Sequence, residues 1–90
     1  MRVKKIDLPE DCSCRCMFTT DILPIHKIVV EHNTNILYIL ERIETGHRAC
    51  SLEPPYLNDE KVKEFIAPLS DNQGRDILNF LSIVIKDFLS

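Results

Sequence analysis

Ile22, Ile25, Val29, His32, Ile36, Ile39 and Ile43 follow one another in alternating steps of three and four, the spacing that keeps side chains on one face of an α-helix. It predicts a helix over residues 21–45. Thr20 stands where an N-cap belongs, and Asp21 falls in the first turn, where the helix dipole favours an acid. Pro24 is tolerated there because first-turn amides have no intrahelical partner. Gly46 supplies the stop, which leaves about 25 residues, or roughly 37 Å of helix. Asn33, Thr34 and Asn35, three poor helix formers in succession, mark the place where such a helix would bend or break.

Two further helices follow from capping signals. Pro54 and Pro55 hold the connection after Gly46 extended. Asn58 then caps a short helix that carries Asp59 and Glu60 in its first turn and buries Val62, Phe65, Ile66 and Leu69. Ser70 with Gln73 forms a capping-box pair, so a third helix is expected from about Asp71 to the C-terminus. Residues 1–18, with Val3, Ile6 and Leu8 as their only aliphatics before Pro9, read as an extended cysteine-containing arm. Residues 19–90 read as a single helical domain. The expected fold is therefore all-α, a small antiparallel bundle of about three helices with an extended N-terminal arm.

Composition narrows the function classes. Eleven Lys and Arg against fourteen Asp and Glu give a net charge of −3, and the basic residues are scattered, so nucleic acid is not an expected partner. Glycine occurs only at positions 46 and 74, too few for a glycine-rich phosphate loop or for the frequent tight turns of a sandwich or barrel. The first residues lack an apolar h-region and no run reaches membrane-span length, so a cytoplasmic chain without a membrane partner is expected. In that compartment the four cysteines are expected as thiols or metal ligands.

Cys12, Cys14 and Cys16 form a C-x-C-x-C run, and His47 and Cys50 follow the expected long helix. Thiolates and imidazole suit zinc, and Cys12, Cys14, His47 and Cys50 would fill a tetrahedral shell. One-residue gaps fall short of the usual C-x₂₋₄-C spacing, so reduced thiols without a cofactor are the preferred reading.

Glu31 and His32 lie in the run from Ile25 to Glu44, and a His after a Glu early in an aliphatic helix resembles the opening helix of hemerythrin-like metal-binding domains. The resemblance covers about 20 residues and implies iron ligation by His32. Those families bring further His and Glu ligands from later helices, whereas residues 71–90 contain neither. The residues themselves support a seam histidine packed among Val29, Ile36 and Ile39.

Arg42, His47 and Arg48, with Arg75, would form an anion or small-ligand site if the helices brought them to one end, since the arginine fork suits phosphate or carboxylate. Separate pairing with nearby acids is the simpler expectation. The acids at Glu53, Asp59, Glu60 and Glu64 read as a solvated helix start. No nucleophile and base stand at a spacing that fixes them together, so the chain is not expected to be an enzyme.

What remains is apolar surface. A chain of this size buries only about 60–65% of the surface its unfolded form exposes. The third helix carries more apolar width than one neighbour covers, with Ile77, Leu81, Val84 and Phe88 inward and Phe80, Ile83 and Leu89 on its flanks. The expected function is a non-catalytic interaction module, a small regulatory or adaptor protein that presents Phe80, Ile83 and Leu89 to a protein partner or to a second copy. A homo-oligomer, most simply a dimer, is the expected state.

Overall fold

A computed structural model describes residues 1–89. It corrects the all-α expectation: the chain is α+β, a five-stranded antiparallel sheet followed by two helices. The strands are β1 (Val3–Asp7), β2 (Cys14–Thr20), β3 (His26–Glu31), β4 (Leu37–Ile43) and β5 (Gly46–Leu52), and the helices are α1 (Asp59–Ile66) and α2 (Asp71–Val84). A π-helical turn, Ile85–Leu89, extends α2. Each strand pairs with its sequence neighbours, so the sheet is a meander in the order β1-β2-β3-β4-β5. The division into an arm of residues 1–18 and a helical domain of residues 19–90 gives way with it. Residues 3–7 and 14–20 are the first two strands of the same sheet.

The expected long helix is β3 and β4. Its residues are Val- and Ile-rich, and branched side chains settle more readily on a pleated strand than in a helix. The stretch Asn33-Thr34-Asn35, which would weaken a helix, turns the chain. Asn35 takes φ of 56°, the left-handed region that asparagine tolerates. The Thr34 hydroxyl donates to Glu31 at 2.6 Å and accepts from the Ile36 amide at 3.2 Å. Asparagine here makes a tight turn without glycine. At the next hairpin Gly46 has φ of 143° and pairs with Ile43, leaving only Glu44 and Thr45 between the strands.

Alternation then sorts the side chains. Cys16, Phe18, Ile28, Val30, Leu37, Ile39, Cys50 and Leu52 point to one face and form the core with Val62, Phe65, Ile77, Phe80, Leu81 and Val84 of the helices. Of the residues that would share a helical stripe, Ile39 is fully buried while Ile43 is 43% exposed, because Ile43 ends its strand.

Both helices start where their caps predict. The Asn58 side chain accepts from the Lys61 amide at 3.2 Å, and Ser70 accepts from the Gln73 amide at 3.2 Å. Gly74 lies buried against Ile66, where an added Cβ would stand 3.7 Å from that side chain. Both helices pack on the same face of the sheet. Among the described residues no helix packs on the other face, and no helix is long and apolar enough to cross a membrane.

Candidate functional site

Cross-strand partners in an antiparallel sheet share a face, so the register defines what the uncovered face presents. Ile6 lies opposite Met17, Met17 opposite Val29, and Val29 opposite Tyr38. The result is an apolar row running across four strands. Ile6, Met17 and Tyr38 are half-buried, and Val29 at the centre is 9% exposed. Leu40, opposite Ala49 on the same face, widens the row.

The two ends of this face carry opposite charge. Towards one end stand the exposed cations Lys4, opposite Thr19, Lys27, opposite Leu40, and Arg42, opposite His47. Towards the other stands Glu31, opposite Cys14. Its carboxylate accepts from Thr34 and from the Tyr38 hydroxyl, each at 2.6 Å. The Thr34 bond first and the Tyr38 bond second hold Glu31 below the usual carboxylate range, so it is ionised at neutral pH. Glu10 and His32 line a surface concavity with Glu31.

On the helix-covered side, one polar network interrupts the apolar core. His26, Glu41 and Arg48 stand abreast on β3, β4 and β5, because His26 pairs with Glu41 and Glu41 with Arg48. Arg48 donates from Nε to Oε1 at 3.1 Å and from Nη2 to Oε2 at 3.3 Å. The guanidinium also lies 3.9 Å from the ring centroid of Phe65, a cation-π contact that ties β5 to α1. His26 Nε2 is 2.9 Å from Glu41 Oε2. An ionised carboxylate only accepts, so Nε2 carries the proton in this bond, and the buried Nδ1 has no hydrogen-bond partner. The Arg48 hydrogen bonds, aided by the bond to His26, hold Glu41 below the usual carboxylate range despite its burial.

The sequence-predicted sites are dispersed. Arg42 and His47 are on the open face, whereas Arg48 points to the core and is engaged by Glu41; Arg75 is exposed on α2. These four residues do not form one anion site. The cysteine run likewise fails to be a cluster in space. A register shift between Cys14 and Cys16 places Cys14 opposite Glu31 on the open face and Cys16 in the core. Cys12 is exposed, and Cys50 is buried with its thiol 3.7 Å from the Lys61 carbonyl. His47 lies on the face opposite Cys50. Among the described residues no disulfide forms, and no three His, Cys, Asp or Glu side chains converge as a metal would require. Burial pushes the Cys16 and Cys50 thiols up, the direction that keeps sulfur protonated. His32, the residue of the hemerythrin-like resemblance, is exposed at the β3-β4 turn and not on a helix.

On α2 the inward and outward roles are partly exchanged. Phe80 is fully buried in the core, and Ile83 and Leu89 are half-buried. Phe88, which the helical stripe placed inward, is 41% exposed and tilts against Phe18 with ring centroids 5.0 Å apart. Leu78 is the outward leucine. With Leu57, 81% exposed, it edges a groove of about 310 Å³ that Val62, Leu81 and Ile85 floor. Sequence reading missed the open face altogether. Its signal was the alternation Lys27-x-Val29-x-Glu31 in a segment rich in β-branched residues.

Compared with family models, with curated proteins and with solved structures, the chain gives no match in any of the three.

Proposed function

We propose that the protein is a non-catalytic interaction module that recognises a protein partner through the open face of its sheet. The observation that carries this reading is the apolar row Ile6, Met17, Val29 and Tyr38 on a face that no helix covers. A sheet with one face packed and one in water ordinarily alternates apolar inward and polar outward. Here the outward positions at the centre of four strands are apolar or aromatic, and charge is confined to the ends. That is the anatomy of an interface, with an apolar middle and a charged rim.

The groove at Leu57 and Leu78 supports a second reading, in which the helices present the binding surface. A photoreactive amino acid placed at Met17, at Leu78 and at the exposed helix position Arg75 separates the two in cells that produce the chain. Protein adducts at position 17 that exceed those at 75 support the open face. Adducts concentrated at 78 transfer the function to the groove, and equal background at all three overturns the interaction reading.

A further inference from the structure

We propose that the open face pairs with the open face of a second copy of this chain, about a two-fold axis that runs across the strands along the apolar row. The inference rests on the reading of that face as an interaction surface and adds its occupant. What selects a second copy is the arrangement of charge about Val29. On β3, Lys27, Val29 and Glu31 share the open face at two-residue spacing, so a cation and an anion stand on either side of the central valine, each about 7 Å away along the strand.

An axis through Val29 and perpendicular to β3 exchanges the two ends of the strand. Each Lys27 then faces the partner's Glu31, and each Glu31 faces the partner's Lys27, so one symmetry operation forms two opposite-charge pairs. The cations Lys4 and Arg42, at the same end as Lys27, come over the end that holds Glu31 and Glu10. An axis parallel to the strands would set Lys27 over Lys27 and keep all the cations at one end of both sheets. Charge therefore chooses between the two ways of stacking the sheet on itself. In the chosen arrangement β1 lies over β1, and strand directions stay within the aligned range for stacked sheets about 10 Å apart. Ile6, Met17, Val29, Tyr38 and Leu40 of the two copies fill the layer between them. The Tyr38 hydroxyl keeps the Glu31 carboxylate on this face.

Sedimentation equilibrium of the purified chain at tens of micromolar tests the proposal, with Lys27→Glu and Glu31→Lys as separate variants. The wild type is expected to be a dimer, and each reversal, which sets two like-charge pairs in the interface, to weaken it about tenfold or more. An equimolar mixture of the two variants recreates both attractive pairs and should dimerise as the wild type does. Lys27 is exposed and has no part in the core, so its reversal reports on association even if Glu31→Lys perturbs the hairpin. A zero-length carbodiimide gives an independent readout. Lys27 and Glu31 of one chain stand about 13 Å apart along the strand, too far to be joined directly, so a Lys27–Glu31 cross-link must form between copies. A monomeric wild type, a dimer indifferent to Lys27→Glu, or a mixture no tighter than its components overturns the proposal. If the chain is monomeric and position 17 still labels another protein, the open face stands and only the second copy is excluded.

Discussion

The Tyr38 hydroxyl donates to the Glu31 carboxylate at 2.6 Å across the β3-β4 hairpin, and it fixes the acid that β3 presents on the open face beside the apolar row. Thr34 holds the same carboxylate from the turn. Both bonds favour the ionised form, and in return the carboxylate raises the Tyr38 phenol above the usual tyrosine range.

Glu31 is accordingly expected to titrate below an ordinary glutamate, and to move upward in steps. Thr34→Ala should raise its midpoint more than Tyr38→Phe, since the Thr34 bond is the larger influence. Carboxyl chemical shifts followed through an acid titration measure both. A midpoint unmoved in the double variant would show that neither bond survives in solution.

The buried network should leave a pH signature on stability. The pKa of Glu41 is lowered in the folded state, chiefly by Arg48, so the stabilisation is fully present above the unfolded value, near pH 4.3. It is lost as pH falls through the lower folded value. Glu41→Gln should cost roughly 2–3 kcal/mol at neutral pH, a buried-pair figure discounted for the partly exposed Arg48. Urea unfolding from pH 3 to 7 should show the variant flatter than the wild type on the acid side. Parallel curves would contradict the assignment.

Core and edge isoleucines should separate sharply. Ile39→Ala is expected to destabilise by about 2–5 kcal/mol, the range for emptying a well-packed site. Ile43→Ala should cost below about 0.5 kcal/mol, as for surface positions. A single helical stripe would penalise the two alike, so denaturant midpoints for the pair discriminate strand from helix.

Native alkylation should rank the thiols by environment. Cys12 is expected to react first with iodoacetamide and Cys14 more slowly, while Cys16 and Cys50 remain protected until the chain is unfolded, because burial both shields them and raises their pKa. Mass spectrometry of partially labelled protein gives the order. Labelling of Cys50 in the native protein as fast as Cys12 would mean that α1 does not cover β5.

The sequence by itself determined both helices, because their information is local. Asn58 and Ser70 cap within three residues, and Val62 and Phe65, like Ile77, Leu81 and Val84, repeat at the helical period that the structure buries. For residues 22–43 the sequence was ambiguous in a definite physical way. A run dense in isoleucine and valine satisfies a spacing of three and four and also a spacing of two, and Asn33-Thr34-Asn35 reads equally as a helical defect or as a turn. Branching at Cβ favoured the strand, but pairing decided it, since β3 lies between β2 and β4, and β4 between β3 and β5, where ladder hydrogen bonds replace those of a helix. Only that tertiary register could bring His26, Glu41 and Arg48 abreast across separations of 15 and 7 residues. It alone set Arg42 and Arg48 on opposite faces. The bulge that parts Cys14 from Cys16, and the open face on which Lys27, Val29 and Glu31 align, likewise exist only once five strands lie side by side, since a face is a property of the sheet and not of any one segment.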